Sequence, residues 1–161
     1  MSRLAEHLAD LAYGRTFCVV GVGNPLRGDD AAGPLVIERL GGHDGVHLVD
    51  AGTTPENWYG PLVERIPGLV LFVDAADHGG APGDCVLVPA GQLAARDGTT
   101  HAPTLRLLAQ LLAPRGIDAW LVGIQPAGTA LGAPLDPAVS AAVDEVVAAI
   151  GAVLQADARQ G

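Results

Sequence analysis

Few side chains in this chain can do chemistry, and most of those that can stand where an apolar run ends. Asp29 and Asp30 are adjacent in Gly21-Val-Gly-Asn-Pro-Leu-Arg-Gly-Asp-Asp-Ala-Ala-Gly33, directly after the apolar run Phe17 to Val22. Asp50 closes the run Val46 to Asp50, Asp74 follows Leu69 to Val73, and His101 lies in a loop before a leucine-rich segment. If those runs are parallel strands of one sheet, Asp30, Asp50 and Asp74 share its carboxyl edge, where open α/β sheets place their ligands. Carboxylates crowded on one edge repel each other unless a cation or a proton sits among them. The chemistry expected there is contact with a metal ion, or activation of water by a carboxyl of raised pKa, with an imidazole on the same side. A single aspartate at a strand-to-helix turn can equally cap the helix by accepting from its orphan amides. That reading stays open for Asp29, Asp30, Asp50 and Asp74.

Other chemistries lack their letters. A dinucleotide fingerprint needs a third glycine where Leu26 stands, and no Gly-Lys-Ser/Thr, GxSxG or HExxH pattern occurs. Cys18 and Cys85 lie far apart inside apolar runs without metal-binding spacing, so they read as buried, reduced thiols of a cytosolic protein. His43 and His47 fall at the start of the second run, on the opposite edge, and His78 stands among Asp77, Gly79 and Gly80 as a solvated loop residue. None of the three is given a role.

The elements that position these groups alternate along the chain. A short helix without clear caps is expected over Arg3 to Ala12, then a strand over Phe17 to Val22 and a helix from Pro34 to Leu40 ended by Gly41-Gly42. After the strand ending at Asp50, Thr54-Pro55-Glu56 opens a helix running to about Arg65, facing Leu62, Val63 and Ile66 inward and stopped by Pro67-Gly68. Leu69 to Val73 is the most apolar strand, terminated by Asp74. The strand Cys85 to Val88 follows through a loop too short for a crossover helix, so it is predicted antiparallel. Thr104 to Ala113 reads as a helix, Ala119 to Ile124 as the last strand, and Asp136-Pro137 opens a final helix to about Leu154 with Val139, Val143, Val146, Val147, Ile150 and Leu154 inward. The expected fold is one α/β/α layer domain over residues 1–161, frayed from about Ala156.

Composition bounds the function. The core must be built from Leu, Val, Ile and Ala, because hydrophobic residues make up 49% and aromatics only 4%. A formal charge of -9 repels phosphate backbones and anionic lipid, which argues against nucleic-acid partners and for a cation. The opening residues lack the basic and long apolar parts of a signal peptide, no run is expected to reach membrane-spanning length, and a cytoplasmic location follows.

Five motifs in order, Gly21 to Asp30, Asp50-Ala-Gly-Thr53 with Pro55-Glu56-Asn57, Phe72-Val-Asp74-Ala75, Thr100-His101 and Gly123-Ile-Gln-Pro126, resemble the [NiFe]-hydrogenase maturation endopeptidases. The branch serving membrane-bound, hydrogen-evolving hydrogenases is the most similar, and the resemblance is collinear from about residue 17 to residue 150. It implies a three-layer α/β/α domain with a five-stranded mixed sheet whose fourth strand is antiparallel. It implies metal contacts at Asp30, Asp74 and His101, and a further acid important for activity at Asp50. Many members carry Glu at the first of these positions and Gly where Ala51 stands.

The implied activity is removal of a carboxy-terminal extension from a hydrogenase large-subunit precursor after nickel insertion, by a monomer that does not enter the membrane. Two carboxylates and one imidazole are a poor set for a permanent metal and suit an ion whose other ligands belong to the substrate. Nickel is thus expected to arrive with the precursor. The competing expectations are a non-cleaving nickel-checking chaperone or binding module of the same fold, and a hydrolase acting on another small or peptide substrate.

Overall fold

The computed structural model describes residues 2–41 and 47–160, with side chains of the last helix as far as Ala156. Helix α1 (Arg3–Ala12) is followed by strand β1 (Phe17–Val22), helix α2 (Ala32–Leu40), strand β2 (His47–Gly52), helix α3 (Tyr59–Arg65) and strand β3 (Leu69–Ala75). Strand β4 (Cys85–Pro89), helix α4 (Ala102–Leu112), strand β5 (Asp118–Ile124) and helix α5 (Pro137–Gln160) complete the chain. The five strands form one sheet in the order β2-β1-β3-β5-β4, and all neighbours are parallel except β4, which runs antiparallel to β5 at one edge. The chain is therefore an α/β fold with the mixed sheet that the sequence implies.

The two-residue period of the strands divides the core into two layers. Phe17, Val19, Leu69, Leu71, Val73, Val122 and Ile124 face one cluster, shared with α1, α2 and α5. Cys18, Val20, Val22, Val70, Phe72, Ala119 and Leu121 face the other, shared with α3 and α4. Every residue of β1 and β3 is buried, as expected of central parallel strands covered on both sides. Cys18 and Cys85 are free, and burial pushes their thiols up to about 12 and about 11, so neither is a ready thiolate.

Several boundaries differ from the sequence expectation, each for a local reason. Ser2 accepts a hydrogen bond from the Ala5 amide and caps α1, so that helix does have a cap. A 3-10 turn over Gly28–Ala31 precedes α2, so the helical path begins at the aspartates rather than at Pro34. Another over Pro55–Trp58 precedes α3. Ile66 does not face inward: it ends α3 in the left-handed region (φ 47°) and is 62% exposed. Asp74 lies within β3, paired to Gly123, rather than beyond its end. The last helix extends to Gln160, beyond the expected end near Leu154, while Gly42, His43 and Val46 lie outside the described residues. By length and composition Pro137–Ala156 is apolar enough to cross a membrane, against the expectation that no run is. One face of it, with Val139, Val143, Val146 and Ile150 fully buried, packs into the core beside α1 and α2.

Gly33 in α2 sets how closely the helix approaches the sheet. A Cβ there would stand 2.3 Å from the Val22 carbonyl oxygen and 2.4 Å from that of Val73, both backbone atoms that cannot yield independently. Gly33→Ala is therefore expected to destabilise the fold by about 1 to 3 kcal/mol or more, read as a lower urea midpoint with an unchanged slope.

Candidate active site

Because β1, β2 and β3 are parallel, their carboxyl ends meet on one side of the sheet. The loop after β1 starts at Gly23, whose φ of 140° few other residues adopt and where a Cβ would collide with the Asp30 carbonyl oxygen at 2.0 Å. The chain then folds back so that Asp30 Oδ2 accepts from the Asn24 amide at 2.8 Å. Among the described residues its Oδ1 has no protein donor.

The neighbouring Asp29 behaves differently. It is 1% exposed, and its carboxylate accepts from the amides of Ala127 (2.8 Å), Gly128 (3.0 Å) and Asp136 (2.8 Å). Its own amide donates to the Gly128 carbonyl at 2.9 Å. Asp29 thus caps backbone from the far end of the chain rather than its own helix, and Asp30 alone turns toward the cavity.

On β3, Asp74 is fully buried. Its Oδ2 accepts from Thr99 Oγ1 at 2.5 Å and lies 2.8 Å from His101 Nδ1, while its Oδ1 is buried with no partner. Thr99 also accepts from the His101 amide at 3.0 Å, fixing the histidine at the start of α4. Burial raises the Asp74 pKa, against the hydrogen bonds from His101 and Thr99. The hydrogen bond to Asp74 raises that of His101 above its ordinary value, against desolvation, with the charges of Asp74, Asp30 and Glu56 acting in the same direction. An Nδ1–H donated to Asp74 leaves Nε2 as the atom with which the ring meets a ligand.

Asp30 and His101 line one open cavity of about 590 Å³, walled by Asn24, Arg27, Thr53 and the segment Pro126 to Thr129. Asp74 lies behind His101. Asp50, expected among the acids of the site, is exposed, does not line this cavity, and accepts from the Gly52 amide at 3.1 Å in the turn that carries Thr53. His47 stands at the amino end of β2 against Arg65, and the His78 ring packs on the Asp84 carbonyl. Thr99 had drawn no attention in the sequence; Asp29 was read as a possible cap of its own helix, and the buried Gln125, noticed only as part of the motif Gly123 to Pro126, accepts from the amides of His78 and Gly80 and donates to Asp77. The signal for Thr99 was its place two residues before His101, a spacing at which a threonine hydroxyl meets local backbone.

Residues 35–153 match the family model of HycI, the hydrogenase maturation proteases. The chain belongs to the hydrogenase maturation protease family. The matched span starts just after the Asp29-Asp30 loop. The chain is 32% identical over 128 residues to the hydrogenase 3 maturation protease of Escherichia coli K12, covering 78% of this chain and 82% of the relative. The crystal structure of HycI from Thermococcus kodakarensis superposes with a TM-score of 0.84 at 31% identity, covering 92% of this chain and 99% of that one. The maturating endopeptidase HybD of Escherichia coli gives a TM-score of 0.72 at 25% identity, covering 88% and 93%. Membership in the hydrogenase maturation protease family supports the peptide-hydrolase reading of the sequence over the non-cleaving module.

Among the described residues no three His, Cys, Asp or Glu side chains are arranged to hold an ion by themselves. Of the cavity-lining groups, Asp30 Oδ1 and His101 Nε2 are without a protein partner among the described residues, whereas the unpartnered Asp74 Oδ1 is buried behind the histidine.

The Asp74 hydrogen bond has a testable electrostatic consequence. A histidine whose folded pKa is raised adds stability that is complete below its unfolded pKa, near 6.5, and is lost as pH climbs through the higher folded value. An NMR titration of the His101 ring should give a midpoint above 6.5, and Asp74→Asn should lower it.

Proposed function

We propose that this protein is the endopeptidase that removes the carboxy-terminal extension of a [NiFe]-hydrogenase large-subunit precursor once nickel has been inserted. The observation that carries the reading is the His101–Asp74 pair, held at 2.8 Å behind a cavity that Asp30 also lines. Peptide hydrolysis needs an acceptor for the proton of the attacking water and a donor for the departing amine. The cavity offers the Asp30 carboxylate for both, taking the proton from water and returning it to the amine, with His101 also in the lining. Asp74 accepts the Nδ1–H and so orients the imidazole with its Nε2 lone pair toward the cavity, and Thr99 holds Asp74 in place. Asp50 acts at a distance, through the turn that presents Thr53.

Nickel belongs to the substrate in this proposal. Asp30 and His101 meet it with Oδ1 and Nε2, and the precursor's own ligands complete its coordination. A site that cannot close around an ion alone gains affinity for the loaded precursor only, which orders cleavage after insertion. The net charge of -9 suits such a cationic group and gives no surface for nucleic acid. The protein acts as a cytoplasmic monomer.

The reading is tested by incubating the protein with the large-subunit precursor, with and without inserted nickel, and following loss of the tail by mass. Cleavage of the nickel-loaded form alone is expected, and equal cleavage of both would remove nickel as the checkpoint. Asp30→Asn and Asp74→Asn should each lower processing by roughly a hundredfold or more while keeping the circular dichroism of the fold. Full activity in either variant would show that its charge is dispensable.

A further inference from the structure

Two leucines stand exposed on the two loops whose other residues line the cavity. Leu26 is 67% exposed and Leu131 is 70% exposed. Isolated exposed leucines are ordinary, but these two are joined: the Gly132 amide donates to the Leu26 carbonyl at 2.9 Å. Leu26 lies between the cavity-lining Asn24 and Arg27, and Leu131 follows the lining segment Pro126 to Thr129.

Both leucines are held on fixed backbone. The Leu26 amide donates to Asn24 Oδ1 at 2.9 Å, tightening the first loop. The second loop is gripped at both ends by Asp29, which binds the amides of Ala127 and Gly128 before Leu131 and that of Asp136 after it. Where the loops touch, a Cβ on Gly28 would lie 2.6 Å from the Gly128 carbonyl oxygen and 3.2 Å from the Ala133 Cβ. An apolar side chain kept exposed on a fixed loop loses little entropy when a partner covers it.

We propose that Leu26 and Leu131 form an apolar lip that receives an apolar side chain of the precursor polypeptide beside the scissile bond. The proposal rests on the proteolytic reading above, because the loops that carry both leucines also line the cavity that must admit the substrate's backbone. Nickel contacts at Asp30 and His101 then report the state of the precursor, and the lip reports its sequence. The two leucines are specificity determinants and take no part in the bond chemistry.

The test compares wild type, the double variant Leu26→Ser/Leu131→Ser, and Tyr13→Ser as a control. Tyr13 is 76% exposed but precedes β1, at the end of the sheet away from the cavity. KM and kcat for nickel-loaded large-subunit precursor, and its Kd by interferometry, are measured for all three. The double variant should raise KM and Kd roughly tenfold or more with kcat within about twofold, and Tyr13→Ser should match wild type. Unchanged KM and Kd in the double variant, or an equal loss in Tyr13→Ser, would overturn the lip, as would a fall in kcat at constant KM. Wild type that binds the precursor without cutting it would overturn the proteolytic reading, and the lip would then stand or fall on the Kd comparison. Wild type that neither binds nor cuts overturns both.

Discussion

The arrangement of the site depends on one buried carboxylate. Asp74 sits in a central strand, away from solvent, and only hydrogen bonding makes a charge tolerable there. Thr99 and His101 both approach Oδ2 and leave Oδ1 without a donor, so the group is incompletely satisfied, whereas Asp29, the other buried carboxylate among the described residues, has three donors. Such a deficiency is costly in a core and is commonly found where a protein does chemistry. It also fixes the histidine. With Nδ1 committed to Asp74, the ring has one orientation and one free nitrogen, and the start of α4 is positioned to match.

The adjacent aspartates show how the same side chain takes two physical roles one residue apart. Asp29 is enclosed and neutralised by backbone dipoles, which suits a carboxylate that must hold two distant segments together. Asp30 keeps one oxygen open toward the cavity. The 3-10 turn over Gly28–Ala31 separates the two, because its tight winding sends neighbouring side chains in different directions. Without the inner carboxylate, the wall formed by Pro126 to Thr129 would lose the side-chain bonds to the Ala127 and Gly128 amides that hold it to the first loop.

Much of this was legible in the letters. Apolar runs ending in Asp50 and Asp74, and the short Gly/Pro loop before Cys85, were enough to place the sheet, its carboxyl edge and its antiparallel strand. Asp30, Asp74 and His101 drew attention by type and position alone. What the sequence concealed was mostly long-range. That Asp29 reaches residues 127, 128 and 136 follows from tertiary packing, which no local pattern encodes. Asp50 looked equivalent to the other acids because strand order shows which edge a side chain shares, not how far its turn carries it from the cavity. Ile66 read as a core residue because its apolar side chain fits the helix period, but the left-handed end of α3 turns it outward. Thr99 was hidden for a simpler reason: a hydroxyl one residue upstream of a noticed Thr-His pair looks like any other loop residue until the buried acid beneath it is seen.

The grip of Asp29 on the loop before α5 has a consequence for biosynthesis. The Asp29–Asp136 contact spans 107 residues of sequence, and the Ala127 contact spans 98. Closing loops of that length is slow compared with forming a helix or a hairpin, and it requires the distal segment to have been synthesised. A nascent chain on the ribosome can therefore display Asp30, Asp74 and His101 well before it has a cavity wall to use them against. The competent site thus waits on the distal segment, and a chain truncated before residue 126 carries all three groups without the wall that encloses them.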